Sequence, residues 1–110
     1  MNTSGMLRGY LAKVLDHENY FYHVMNCMEV QFHDWEHETM LLFDWGHTKE
    51  IHATFIIDEH IYSLAINKEI VAALQRKNPY ALDRYIWEHL IEQGFELKES
   101  NYILLAFSEL

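Results

Sequence analysis

Apolar positions near the start of the chain recur at three- and four-residue intervals: Leu7, Tyr10, Leu11, Val14 and Leu15 form a stripe, with Arg8 and Lys13 off it. That spacing predicts a helix over about 5–15, with Thr3 or Ser4 as its cap. After Asp16-His17-Glu18-Asn19 the rhythm changes. The run YFYHVMNCMEVQFH, residues 20–33, is rich in aromatic and β-branched residues, and Met28, Val30 and Phe32 alternate with Glu29, Gln31 and His33. Alternation of that kind predicts one long strand or two short ones.

Three further runs, at about 38–45, 50–57 and 60–66, read as strands separated by Gly46-His47-Thr48-Lys49 and by Asp58-Glu59. A tight turn at Asp58-Glu59 pairs Ile57 with His60, Phe55 with Tyr62, Ala53 with Leu64 and Ile51 with Ile66 on a mostly apolar face. It sets Thr54 against Ser63 and His52 against Ala65 on a wetter one. Asp-Glu lacks the glycine that two-residue turns favour, which leaves room for a loop longer by two.

The helix that follows carries its own punctuation. Asn67 is placed to cap KEIVAALQRK, Glu69 sits in the first turn, Arg76 and Lys77 in the last, and Ile66 and Val71 form a hydrophobic staple. A second helix starts with Asn78 as cap and Pro79 at its first position, runs Leu82, Ile86 and Leu90 along one side, and stops at Gly94. The terminal YILLAF reads as a short buried strand. The expected fold is therefore α+β: a mainly antiparallel sheet of four to five strands in a β-meander, packed by an N-terminal helix and two C-terminal helices.

Composition narrows the class of protein. A chain of 110 residues, half of them hydrophobic, is expected to form one α+β domain over residues 1–110. The lone Cys27 forms no internal disulfide and reads as a small buried hydrophobe, which favours a reducing compartment. With neither a signal-peptide pattern nor an apolar run long enough to span a bilayer, the expected location is cytoplasmic, with no membrane partner.

Charge changes the picture more. The net charge is −9 with histidine neutral, which argues against direct nucleic-acid contact and for a basic protein partner. Between Glu29 and Glu59, eight carboxylates face Lys49 alone, a net of −7, and the rest of the chain carries −2. The eight histidines would nearly cancel that field if all were protonated.

Residues 33–52 hold four histidines, five carboxylates and two copies of Asp-Trp-x-His ten residues apart. His33 and His37 have the spacing of two metal ligands on one helical turn, and HDWEH distantly echoes a zinc-protease motif. The segment lacks the helical stripe that motif requires, and a strand of about seven residues would hold the two Asp-Trp-x-His copies roughly 20 Å apart. A meander instead brings the turns at 34–37 and 58–59 to one end of the sheet. That end gathers Asp34, Glu36, Glu38, Asp58 and Glu59 with His33, His37 and His60. Trp35 and Trp45 either cover the core or serve as exposed anchors.

Catalytic patterns are sparse. There is no glycine-rich phosphate loop, nucleophile elbow or Cys-x-x-Cys. His23 and Cys27, if extended, stand about 13 Å apart, beyond hydrogen-bond reach, and His89 reads as a boundary residue of the last helix. The expectation is a non-enzymatic, cofactor-free, acidic binding protein of inhibitor or immunity type. It would occupy a basic, nucleic-acid-binding surface of a nuclease or similar enzyme as a nucleic-acid mimic, through Asp34, Trp35, Glu36, Glu38, Asp44, Trp45, Glu50, Asp58 and Glu59. The alternative is a metal-binding protein using His33, His37, His60 and Asp58. A homo-oligomer formed along exposed strand edges is a third arrangement.

Overall fold

The computed structural model describes residues 5–108; Thr3 and Ser4, expected as caps, lie outside them. The elements run α1 (Gly5–Val14), α2 (His17–Asp34), β1 (Thr39–Asp44), β2 (Glu50–Ile57), β3 (His60–Asn67), α3 (Lys68–Lys77), α4 (Ala81–Glu92) and α5 (Asn101–Ala106). The class is α+β. The sheet, however, has three antiparallel strands in the order β1-β2-β3, not four or five.

Both missing strands are helices. In α2 the buried positions are Tyr20, Phe21, Val24, Met25, Cys27, Met28, Gln31 and Phe32, a three-and-four spacing that winds one face against the core. The alternation at 28–33 was incidental: Gln31 is buried and Val30 only half-buried. Asp16 opens this helix by accepting the Asn19 backbone N–H at 2.8 Å, so the polar Asp16–Asn19 stretch is a helix start. Tyr102–Ala106 of YILLAF lie in α5 with Phe107 as its C-cap; Ser100 caps the other end by accepting the Ile103 N–H at 3.1 Å, and the helix buries Tyr102, Ile103 and Ala106. It offers no strand edge for pairing.

The β2–β3 hairpin has the expected register throughout, Ile57 with His60 through Ile51 with Ile66. Its turn is two residues and no longer. Asp58 adopts φ 56°, a left-handed conformation that Asp tolerates better than most side chains. β1 pairs on the other side of β2, setting Thr39 against Ile57 and Asp44 against His52. The inward faces of β2 and β3 meet α2, α3 and α4 in a core that includes Phe21, Phe32, Phe55, Ile86 and Trp87. On the free edge of β3, the Gln93 side chain accepts the Ser63 N–H at 2.9 Å and donates to its carbonyl at 2.7 Å, replacing a neighbouring strand there.

α3 follows its sequence signals, with the Asn67 side chain accepting the Glu69 N–H at 2.7 Å. α4 begins two residues later than expected. Asn78 accepts the Tyr80 N–H at 2.8 Å in the preceding turn, and Tyr80 occupies the cap position. Leu82, Ile86 and Leu90 are all buried.

The first helix forms where expected but turns the wrong way round. Its one described buried residue is Arg8, while Met6, Leu7, Tyr10 and Val14 are exposed, Met6 at 88% and Tyr10 at 62%. Leu11 and Leu15 of the expected stripe are half-buried, Ala12 and Leu15 pack on the core, and polar contacts fix the helix further. The Arg8 guanidinium makes a two-pronged ion pair with Asp83 of α4, with Nη2 to Oδ2 at 2.9 Å. Gln75 of α3 donates to the Ala12 and Leu15 carbonyls at 3.0 and 2.8 Å, satisfying helix-end acceptors that have no partner within the helix.

Candidate functional site

Two helix ends build the corner where the acidic turns meet. α2 ends with Glu36 at φ 65°; the Glu36 N–H bonds the His33 carbonyl at 2.9 Å and the His37 N–H the Phe32 carbonyl at 3.0 Å. α4 ends the same way, with Gly94 at φ 102°, its N–H on the Ile91 carbonyl at 2.9 Å and the Phe95 N–H on the Leu90 carbonyl at 3.0 Å. Such left-handed stops satisfy orphan carbonyls and turn the chain sharply, and a side-chain contact across the stop often accompanies them. Here His37 lies edge-on to Phe32 at 6.4 Å and to Phe95 at 5.9 Å.

The corner is then tied to the β2–β3 turn. Asp58 accepts a hydrogen bond from the Glu38 N–H at 3.0 Å, its second oxygen lies 2.8 Å from His37 Nδ1, and its own N–H donates to the Glu38 carbonyl at 2.7 Å. The Glu38 backbone donor, then His37, stabilise the charged carboxylate and hold Asp58 below its ordinary titration range. Asp34, Glu36, Glu38, Asp58 and Glu59 are all exposed around this junction.

Six of the nine expected binding residues therefore meet: Asp34, Trp35, Glu36, Glu38, Asp58 and Glu59. The other three sit at the far end of β1, about 20 Å away at ~3.3 Å per residue. There Asp44 accepts the Gly46 N–H at 3.2 Å, Glu50 lies 3.3 Å from His52 Nε2, and Trp45 packs 6.0 Å from Phe21 beneath the Lys68 ammonium. Trp35 is half-buried, 5.8 Å from Trp87 and 6.2 Å from Phe95. Both tryptophans cover core and neither is an exposed anchor.

The exposed apolar surface at this corner comes from elsewhere. The register places Met40, Ile56 and Ile61 in one row across the solvent face of the sheet, with Leu42 one row further along β1. Met40 is 57% exposed and Ile61 69%. This row stands immediately behind Glu38, Asp58 and Glu59, so an apolar centre adjoins a carboxylate rim. Sequence reading missed it because an isolated Met or Ile on a strand carries no sign of which face will be covered.

His33, His37, His60 and Asp58, the expected metal ligands, do come to this corner, yet among the described residues no group of three or more His, Cys, Asp and Glu side chains is arranged to hold a metal ion.

A second polar constellation lies in the interior. Arg8 and Asp83 are 2% and 0% exposed, and the Tyr102 hydroxyl also donates to Asp83 Oδ2. Arg8 donates to the Pro79 carbonyl at 3.1 Å, the Tyr20 hydroxyl donates to the same oxygen at 2.6 Å, and the guanidinium lies 4.8 Å from the Tyr80 ring. Burial works against the guanidinium charge, but Asp83 more than offsets it, and the Arg8 pKa is raised. Burial also pushes the Tyr20 phenol up to about 12 and Tyr102 well above its ordinary value. These hydroxyls stay protonated and act as donors.

Beside it, His23 and Cys27 correct the extended-strand expectation. One helical turn apart on α2, they bring Nε2 within 3.6 Å of Sγ. Burial lowers the His23 pKa and raises that of Cys27, so the pair rests as neutral imidazole and thiol, not as an activated thiolate. His89 bonds the Tyr85 carbonyl at 2.9 Å and stacks on its ring at 4.4 Å, a helix-surface role.

Comparison with family models, curated proteins and solved structures finds no match to this chain. No described helix is long and apolar enough to cross a membrane.

Proposed function

We propose that the chain is a small protein-binding module that docks its acidic corner on a basic surface of another protein. In this reading it works as an inhibitor or immunity-type protein of the cytoplasm. Its carboxylates take the place of phosphates in a groove built for nucleic acid, and it acts by binding, not by catalysis. One observation carries the proposal: Glu36, Glu38, Asp58 and Glu59 converge beside a row in which Met40 and Ile61 are exposed and Ile56 is half-buried between them. Protein interfaces combine an apolar centre that excludes water with a charged rim that steers and orients. Asp44, Trp45 and Glu50 are too distant to share that contact and drop out of the proposed site, and so does Trp35, which is occupied by the core.

The test is capture of partners by the immobilised chain over a salt series, with duplex DNA as competitor. A variant carrying Asp34→Asn, Glu36→Gln, Asp58→Asn and Glu59→Gln should lose binding and flatten its salt dependence, and DNA should displace the partner from the native chain. Because Asp58 also ties His37 and Glu38, a second variant, Glu36→Gln with Glu38→Gln and Glu59→Gln, keeps that tie. Equal binding by both variants sinks the proposal.

A further inference from the structure

The positive charge of this acidic chain is not scattered. Arg8, Arg84 and Lys68 are engaged within the chain: Arg8 with Asp83, Arg84 with the Ala106 and Ser108 carbonyls, and Lys68 with the Gly46 carbonyl and the Trp45 ring. Of the other five cations, Lys13, Arg76 and Lys77 line one groove between α1 and the end of α3, and no carboxylate lines it. The α1 wall of that groove is Gly9, Ala12 and Lys13, and Lys13, one turn from Tyr10, borders the neighbouring exposed stripe of Met6, Leu7, Tyr10 and Val14 on the same helix. Gln75 bonds both His17 and the last carbonyls of α1, so the groove belongs to the end where α2 begins. The acidic corner lies where α2 ends.

The molecule thus carries two unpartnered apolar faces with opposite rims. The α1 face has a basic border; the Met40, Ile56 and Ile61 row has an acidic one. We infer that the α1 face receives the acidic corner of a second copy of this chain, in a head-to-tail contact. This rests on the reading of the corner as a docking surface and gives it a partner within the same protein. Each contact uses two different surfaces, so every added copy leaves one of each free, and association continues to a ring or an open chain. Apolar stripes beside basic residues also suit anionic membranes, but the corner of a second copy offers both an apolar row, Met40 and Ile61, and a carboxylate rim, and so complements the α1 face in both respects.

Sedimentation velocity tests this at low and high salt. The native chain should show concentration-dependent association that salt weakens. A basic-face variant, Lys13→Glu with Arg76→Glu and Lys77→Glu, should be monomeric, as should a corner variant, Glu38→Lys with Glu59→Lys. Mixed together, they should form a one-to-one dimer and stop, because each retains one working surface. Met6→Ser with Tyr10→Ser should weaken association at least tenfold with little change in its salt dependence. A native chain that stays monomeric at sub-millimolar concentration overturns the inference; so does a mixture that forms no dimer, or a monomer that instead sediments with phosphatidylserine vesicles. The basic-face variant keeps its corner intact, so capture of a foreign basic protein by that variant tests the corner independently of self-association.

Discussion

Helices α1 and α2 lie next to each other in the chain and obey opposite rules. α2 buries a continuous face in which Gln31 is the one polar member, and the hydrophobic effect is sufficient reason for its docking. α1 buries Arg8, is fixed by Asp83 and Gln75 and packs Ala12 on the core, while Met6, Leu7, Tyr10 and Val14 face outward. Leaving large apolar side chains exposed forgoes about 1.5–3 kcal/mol for each one that could be fully buried. A short helix can therefore be oriented by a few well-bonded polar groups, and its unused apolar stripe remains available for another surface.

The comparison breaks hardest at Arg8. Arg8→Ala strands the Asp83 carboxylate in the interior and should cost about 3–5 kcal/mol in urea denaturation; Phe32→Ala, the counterpart in α2, should cost about 3–5 kcal/mol through an unfilled cavity. The distinction appears on repair: Arg8→Met combined with Asp83→Leu should recover much of the loss, since it removes the charge together with its partner. Next comes Gln75→Ala, which frees the α1 carbonyls and should cost about 1–3 kcal/mol.

Smaller effects sharpen the picture at the helix ends. Glu36→Gly relieves a left-handed penalty of about 1–2 kcal/mol and adds about 0.5–1 kcal/mol of chain entropy to be lost on folding, for a net stabilisation of up to about 1 kcal/mol, while Gly94→Ala, which only adds the penalty, should destabilise; thermal melts of both variants measure the contrast. Tyr10→Ser, on the outward side of α1, should shift the stability of the dilute monomer by no more than about 0.5 kcal/mol. The acid response is the finest test. Asp58 is held below its ordinary range when folded, so its contribution is present above the unfolded carboxylate value of about 4 and disappears as pH falls through the folded one. The stability difference between the native chain and Asp58→Asn should therefore close as the pH falls into the acid range.

Much of the scaffold could be read directly from residue order. The β2–β3 register followed from period-two alternation in Ile51–Ile66, α3 from Asn67 and its flanking charges, and the end of α4 from Gly94. Convergence of Glu36 and Glu38 with Asp58 and Glu59 was also legible, although for a partly different reason: the strand expected before residue 34 is helix α2, and it is the start of β1 and the β2–β3 turn that share one end of the meander. The reading failed where composition and period disagreed. Aromatic and β-branched residues in 20–33 suggested strands, but three-and-four spacing over the whole run, opened by the Asp16 cap, outweighed propensity once that face met the sheet. YILLAF failed for a similar reason: six apolar residues fit a buried strand or a buried helix equally well, and the Ser100 cap decided between them.

Local order of residues determined the hairpin, the caps and the segregation of negative charge into the middle third of the chain, since each depends on neighbours a few positions apart. Tertiary structure alone decided that Arg8, Tyr20, Pro79, Asp83 and Tyr102 form one buried network, because its members come from five places in the chain. It also decided which faces went uncovered. Whether a stripe such as Met6, Leu7, Tyr10 and Val14 or a row such as Met40, Ile56 and Ile61 is buried depends on what the rest of the fold brings against it, and periodicity carries no record of that.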